Sequence, residues 1–159
     1  MTEHQFFNVL VTAWFALAVL VFIILFFIAA PYGRHITRRW GAAISSKYGW
    51  ITMESTAPLI FLICFIAGPY NFSITVLIFL LMWEAHYIHR SYIYPLQIRG
   101  SQKPMALIVI VLGFLFNTLN AYINGRYIFN FSGGYPNSWL LDPHFVFGVT
   151  LFILGFIIN

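Results

Sequence analysis

The chain has 159 residues, of which 61% are hydrophobic and only 8% are charged, and its formal net charge is +4. A soluble domain carries charge on about a quarter of its residues, so this composition and a mean hydropathy of +0.85 exclude an ordinary water-soluble fold and favour helices surrounded by lipid. The eight basic residues are not interleaved with aromatic residues as in nucleic-acid-binding proteins, and the single Cys64 excludes an internal disulfide framework and a cysteine-based metal site.

Five apolar stretches follow one another along the chain, at residues 6–30, 51–68, 72–87, 105–123 and 145–158. About 20 apolar residues cross a bilayer as a helix. The first and fourth stretches reach this length, the second is marginal, and the third needs its polar continuation to about Tyr94. The first lacks the basic start of a cleaved signal peptide. The pattern predicts an all-α, polytopic transmembrane helix bundle that forms a single domain over residues 1–159.

The connections between these stretches alternate in charge. The first and third hold most of the basic residues, namely Arg34, Arg38, Arg39 and Lys47 in the first and Arg90, Arg99 and Lys103 around the third. The second connection is uncharged, and the fourth has only Arg126 near its start and Asp142 near its end. Positively charged connections stay in the cytoplasm. The N-terminus is therefore predicted on the non-cytoplasmic side and Asn159 on the cytoplasmic side.

Glu54 and Tyr87 are polar side chains placed within apolar stretches. Ionisable groups in lipid are costly and are functional candidates by default. At about 1.5 Å per residue the two lie at similar depths on neighbouring antiparallel helices, so a carboxyl–phenol pair is geometrically reasonable. Two other interpretations remain open: Glu54 as an acid favoured by the dipole at a helix start, and Tyr87, with Tyr92 and Tyr94, as part of an interfacial aromatic belt.

The fourth stretch contains Asn117, Asn120 and Asn124 on one helical face. Such a polar stripe is expected to face other helices or a polar ligand. His86 and His89, with Glu84, have a spacing that a metal could use. However, membrane di-iron enzymes need more histidines than the five in this chain, and the other three lie in unrelated segments. We therefore predict no metal site.

Residues 86–96, HYIHRSYIYPL, resemble the steroid 5α-reductase family, in which an H-Y-x-H-R-x-x-x-Y core ends the third helix. Weaker matches extend the resemblance over most of the chain from about residue 33. These are Gly33-Arg34, the W-x-x-x-E spacing of Trp50 and Glu54, Ala57-Pro58, Asn120 with Asn124-Gly125, Tyr135-Pro136, Trp139, Asp142 and residues 151–159. The family has about seven spans and a longer chain, so the sequence is expected to be its N-terminal five spans. Met53 and Leu112 depart from residues that some relatives have, which leaves the substrate preference open.

The resemblance implies a membrane-embedded reductase that uses NADPH to reduce the carbon–carbon double bond of a 3-keto-Δ4 steroid or a similar enone lipid. Reduction of an enone places negative charge on its carbonyl oxygen, which needs a hydrogen-bond donor in a dry site. Tyr87 suits this role because a phenol is still protonated at neutral pH. Glu54 would orient the phenol, or donate directly if burial keeps it protonated.

The resemblance implies the remaining roles as well. Arg90 and Asn159 are expected to bind NADPH, and Trp50 and Asn120 to contact the substrate. The expected partners are an enone lipid and membrane lipid, without nucleic acid or metal, in an endoplasmic reticulum or bacterial inner membrane. Two alternatives stay open: reduction of an enoyl-CoA or a polyprenal-type lipid on the same scaffold, and a non-catalytic membrane subunit or half-transporter.

Overall fold

The computed structural model describes residues 1–27, 41–70, 72–97 and 103–158. Seven α-helices account for most of them: α1 Glu3–Leu25, α2 Ser46–Glu54, α3 Thr56–Ala67, α4 Ile74–Ile88, α5 Tyr94–Gln97, α6 Leu107–Arg126 and α7 Pro143–Ile158. Two π-helical turns, His89–Ile93 and Tyr127–Phe131, continue α4 and α6, and a 3-10 helix, Asn137–Leu141, precedes α7. The predicted all-α membrane helix bundle is confirmed.

Three helical segments in the described part of the chain are long and apolar enough to cross a membrane: Glu3–Leu25, Ser46–Ala67 and Leu107–Phe131. They correspond to the first, second and fourth predicted stretches. The third predicted stretch is α4, which reaches residue 97 only through its π-helical turn and α5. The fifth is α7, a shorter apolar helix of 16 residues.

The second span is broken in its middle, between α2 and α3. Pro58 has no backbone N–H, and its ring crowds the carbonyl group four residues earlier, so a regular helix cannot pass this point. The carbonyl affected is that of Glu54, and α2 ends at this residue. Ser55 links the two helices. As a result, the carboxyl group of Glu54 lies at a helix break inside the bundle, where the residue is only 4% exposed.

One end of the bundle holds the start of α1, the α3–α4 turn and the connection that follows α6. The Nε of Arg126 donates to a carboxylate oxygen of Glu3 at 2.8 Å, which ties the start of α1 to the end of α6. The hydroxyl of Thr75 donates to the carbonyl of Pro136 at 3.0 Å, which ties the start of α4 to the same connection. These contacts agree with the order of sides that the charge pattern predicted.

The opposite end holds a small antiparallel sheet, in which β1 (Ala43–Ser45) pairs with β2 (Pro104–Ala106). Lys47 and Lys103 lie beside these strands. The sheet was not predicted, because three-residue strands are too short to show an alternating pattern. It brings the segments before α2 and α6 together, so that Lys47 and Lys103 lie at one end of the bundle.

In the described part of the chain, the most extensive contact between two helices is between α3 and α6. The larger core cluster contains Ala57, Phe61, Cys64, Val76, Ala121 and Phe129. A Cβ atom placed on Gly125 of α6 would lie 2.7 Å from the Cβ of Cys64, so the glycine allows the two helices to approach closely. Cys64 is itself buried in this cluster.

Candidate active site between α2, α4 and α6

Glu54 accepts hydrogen bonds on both of its carboxylate oxygens. Its Oε1 accepts from the Nε of Arg90 at 2.9 Å, and its Oε2 accepts from the Nδ2 of Asn117 at 3.2 Å. The same amide nitrogen donates to the carbonyl of Met53 at 2.8 Å. Both neighbours of the carboxyl group are donors, and one of them is a guanidinium cation, so both carboxyl oxygens act as acceptors. The carboxylate is therefore held rigidly at the break between α2 and α3.

Arg90 lies in the π-helical turn at the end of α4, and its guanidinium group also covers an aromatic ring. Its Cζ is 5.0 Å from the centre of the Trp50 ring, a distance typical of a cation–π contact. The Trp50 ring in turn meets the edge of Tyr94, with ring centres 5.7 Å apart. Trp50 and Glu54 are four residues apart and share one face of α2. This shared face explains the W-x-x-x-E spacing, since both side chains hold the same guanidinium group.

Tyr87 is held by the asparagine stripe of α6. The Nδ2 of Asn120 donates to the hydroxyl oxygen of Tyr87 at 3.2 Å. The Nδ2 of Asn124 donates to the Oδ1 of Asn120 at 3.1 Å and to the backbone carbonyl of the same residue at 2.9 Å. Asn117, the third asparagine of the stripe, donates to Glu54. The stripe therefore faces the other helices, as the sequence predicted.

The ring of Tyr87 is fixed by an aromatic stack. It packs against Trp83 at a ring-centre distance of 4.7 Å, and Trp83 stacks on Phe61 at 4.3 Å with ring planes 9° apart. The indole N–H of Trp83 donates to the carbonyl of Ala57 at 3.2 Å. Ring stacking and this hydrogen bond leave the phenol little freedom to rotate.

A cavity of about 590 Å³ opens beside this stack, between α4, α6 and α7. Most of its described lining is apolar or aromatic, and the polar contributions come from His86, Tyr87, Arg90 and Asn124. The other lining residues are Phe61, Phe79, Met82, Trp83, Ile128, Leu151, Phe152, Gly155 and Phe156. An apolar cavity of this size with a few converging polar groups is typical of a site for a small organic ligand.

The structure brings together five of the six side chains that the sequence singled out. Glu54, Trp50 and Arg90 form one group and Tyr87 and Asn120 form another, and Asn117 and Asn120, three residues apart on α6, link the two. Asn159, the sixth, lies outside the described residues, as do Arg34, Arg38, Arg39 and Arg99.

One expectation about an individual contact needs correction. The described hydrogen bonds of Glu54 go to Arg90 and Asn117, and that of the Tyr87 hydroxyl comes from Asn120, so the expected direct carboxyl–phenol pair is not formed. Trp50 and Asn120 are not among the described lining residues of this cavity but contact Arg90 and Tyr87, which are, and the substrate-binding role expected of both stays a prediction. Sequence analysis did not assign a site role to Asn117, although its position in the polar stripe was a signal for one.

The histidines of α4 and the following turn make aromatic contacts with α7. The ring of His89 lies 5.4 Å from that of Phe156, and the ring of His86 lies 6.1 Å from that of Phe152. Within the described ranges, no three His, Cys, Asp or Glu side chains come together as a metal site. His86 lines the cavity, and His89 packs against Phe156, which also lines it.

Comparison with known proteins identifies similar sequences. Residues 103–159 match the family model described as 3-oxo-5-alpha-steroid 4-dehydrogenase. The chain is 32% identical to a steroid 5-alpha-reductase of Arabidopsis thaliana over 86% of its own length and 54% of the relative. It is 33% identical to 3-oxo-5-alpha-steroid 4-dehydrogenase 1 of Bos taurus over 91% of its length and 57% of the relative.

A third relative, a steroid 5-alpha-reductase of Solanum lycopersicum, is 32% identical over 99% of this chain and 62% of its own length. The alignment with this third relative covers nearly the whole chain and so includes the part that forms the site. The chain spans between 54% and 62% of the length of these relatives.

Proposed function

The chain belongs to the steroid 5-alpha-reductase family, and on this basis we propose that its five helical spans contribute, as one domain, the active centre of a membrane reductase. The proposed reaction is the reduction, with NADPH, of the carbon–carbon double bond of a 3-keto-Δ4 steroid or a similar enone lipid. The observation that carries the proposal is the fixed hydroxyl of Tyr87 at the wall of the 590 Å³ apolar cavity.

Tyr87 is the proposed catalytic donor. When hydride adds to the β-carbon of an enone, negative charge moves to the carbonyl oxygen, and a pre-oriented donor in an apolar site stabilises that charge. The phenol meets this requirement, because its ring is held by Trp83 and its hydroxyl oxygen by Asn120. The α-carbon then takes up a proton, which balances the overall addition of one hydride and one proton across the double bond.

Glu54 is proposed to act through Arg90 and the α6 amides. Its carboxylate holds Arg90 by the Nε edge, while Trp50 lies against the guanidinium face. A guanidinium group fixed in this way presents its remaining N–H groups in a defined direction. With Asn117 on its other oxygen, the carboxylate also sets the position of α6 relative to α2. Trp50 and Asn120 contribute to substrate binding in this proposal by fixing the cavity-lining Arg90 and Tyr87.

The residues present fit an anionic dinucleotide. Arg90 lines the cavity with its side chain about a third exposed, and Lys47 and Lys103 lie at the same end of the bundle. Arginine is well suited to hold phosphate or amide groups, and we propose that Arg90, with Asn159, contacts the cofactor. NADPH, when bound, supplies the hydride for the β-carbon.

The proposed membrane arrangement follows from the same charges. The end that contains Lys47, Arg90 and Lys103 faces the cytoplasm in this proposal, because positive charge resists translocation. The N-terminus is then non-cytoplasmic, in an endoplasmic reticulum or bacterial inner membrane. This orientation would place the cavity's basic edge on the side where NADPH is available.

The test is product analysis with the full-length protein in lipid nanodiscs. NADPH is supplied with a 3-keto-Δ4 steroid, an enoyl-CoA or a polyprenal, and NADH serves as the cofactor control. We expect the steroid to gain two hydrogens at its ring double bond with NADPH. Reduction of only the acyl or polyprenyl substrate would instead support the alternative lipid reductase, and reduction of none of the three would contradict the proposal.

A further inference from the structure

We propose that Asn124 and Asn120 are positioning residues that aim the hydroxyl hydrogen of Tyr87 into the cavity. The inference rests on the proposed function of Tyr87 and adds a role for two residues of α6, of which Asn120 lies behind the phenol and Asn124 also lines the cavity. It depends on the direction of two successive side-chain hydrogen bonds, from Asn124 to Asn120 and from Asn120 to Tyr87.

Asn124 determines which end of the Asn120 amide faces the phenol. The oxygen and nitrogen ends of an asparagine amide have almost the same shape, and only hydrogen bonding distinguishes them. The Nδ2 of Asn124 donates to the Oδ1 of Asn120, so that oxygen is engaged on the side away from Tyr87. The second donation, to the Asn120 carbonyl at 2.9 Å, fixes the Asn124 amide itself. The Nδ2 of Asn120 is therefore the end that meets the phenol.

The consequence for Tyr87 follows from its single hydroxyl hydrogen. Because its oxygen accepts from Asn120, the hydrogen is not used on this partner and is available to a ligand in the cavity. A reversed amide at position 120 would accept the hydroxyl hydrogen and withdraw it from the cavity. The hydrogen bond from Asn120 also stabilises the negative charge that builds up on the phenol oxygen when the hydroxyl donates to a ketone. This is because consecutive hydrogen bonds strengthen one another.

This arrangement explains why amides occupy both positions. Asn120 and Asn124 are four residues apart, the spacing that places one side chain above the other on a helix. A carboxylate at position 120 or 124 would supply an acceptor where this series of hydrogen bonds requires a donor. Asn120 also stands behind Tyr87 and outside the described lining of the cavity, which fits a role that acts through the phenol.

The test compares Asn120→Asp and Asn124→Asp with the unaltered full-length protein in lipid. These changes preserve the size of the side chain but replace a donor with an acceptor. We expect kcat for reduction of a 3-keto-Δ4 steroid to fall by about 10²-fold, approaching the loss expected for removal of the donor itself, with KM nearly unchanged. Because a protonated carboxyl is itself a donor, the loss should deepen as pH is raised to about 9. Thr118→Val, on the same helix and outside the chain of amides, is the matched control and should leave kcat unchanged.

A second measurement does not depend on turnover. The carbonyl stretch of a bound 3-keto-Δ4 steroid, recorded by infrared difference spectroscopy, falls in frequency when a strong donor contacts the oxygen. We expect this downshift in the unaltered protein and in Thr118→Val, and its loss in Tyr87→Phe and in both Asp variants. Should the Asp variants fail to fold, Asn124→Ala removes only the orienting donor and should lower kcat about tenfold.

The outcomes separate the two proposals. Full activity and a retained downshift in Tyr87→Phe would overturn the proposed function. An inactive Tyr87→Phe together with normal kcat and a retained downshift in the asparagine variants would overturn only the positioning role. The positioning role would also be overturned if Asn120→Asp caused the same additional loss in the Tyr87→Phe background, because its effect would then not pass through the phenol.

Discussion

Arg90 and Glu54 form an ion pair that joins the end of α4 to the break between α2 and α3. The Nε of Arg90 lies 2.9 Å from the Oε1 of Glu54, and the carboxylate side chain is only 5% exposed. A charge removed from water in this way is costly unless a partner and further hydrogen bonds compensate it. Asn117 supplies the further bond on the other oxygen. Removal of Arg90 would therefore leave the Glu54 charge buried and uncompensated.

The first prediction is that loss of the arginine destabilises the fold. Arg90→Met leaves the Glu54 carboxylate buried without its cation, which should cost about 3 kcal/mol. The double variant Arg90→Met/Glu54→Gln should recover part of this loss, since the uncompensated charge is gone. Denaturant unfolding in detergent micelles measures both. An equal destabilisation by the single and double variants would contradict this role of the ion pair.

The second prediction concerns catalysis. Tyr87→Phe should lower reductase activity by about 10²–10³-fold in the full-length protein, the usual cost of removing one donor that stabilises an oxyanion. Glu54→Gln should also lose most of the activity, because Arg90 loses the carboxylate that holds its guanidinium group. Membrane expression should be unchanged in Tyr87→Phe, because the ring stack with Trp83 remains. Turnover is measured with a 3-keto-Δ4 steroid and NADPH. Near-normal activity of Tyr87→Phe would mean that this tyrosine is only an interfacial aromatic residue.

The third prediction concerns orientation in the membrane. Cysteines are introduced one at a time at Lys47 and at Asn137, which lie at opposite ends of the bundle, in a Cys64→Ala background. An impermeant thiol reagent added to intact cells, or to sealed vesicles with the native orientation, should label position 137 and miss position 47. Labelling of position 47 alone would reverse the proposed orientation. The Cys64→Ala protein without a new cysteine is the control and should not be labelled.

The depth of the site residues along their helices could be predicted from the sequence, whereas their hydrogen-bond partners could not. Glu54 and Tyr87 were expected at similar depths because helix rise converts residue numbers into distance. Which donor meets which oxygen depends on the rotation of α6 against α2 and α4. It also depends on the π-helical turn at His89–Ile93, because this turn changes the direction of the side chains within it. No sequence pattern predicted this turn. Arg90 was expected only to bind the cofactor, although it also donates a hydrogen bond to Glu54.

The sequence contains a signal for the break in the second span, but the prediction did not take it into account. The apolar run 51–68 was treated as a single helix, although Pro58 lies inside it and removes a helix hydrogen bond. The structure ends α2 at Glu54 and begins α3 at Thr56. The start of α2 at Ser46 was missed for another reason: residues 46–50 are not apolar enough to signal a span. Local composition thus located the span but not its start or its internal break.

The last prediction tests the close contact between α3 and α6. Gly125→Ala would place a Cβ atom 2.7 Å from the Cβ and 3.1 Å from the Sγ of Cys64, and both belong to a packed core that has to move apart. Overpacking of this kind costs about 1–3 kcal/mol. Gly148→Ala on α7 is the matched control, because no atom lies within 4 Å of its new Cβ and alanine is the better helix former. Denaturant unfolding should show a lower midpoint for Gly125→Ala and an equal or higher one for Gly148→Ala. Equal midpoints for Gly125→Ala and the unaltered protein would mean that α3 and α6 do not pack this closely.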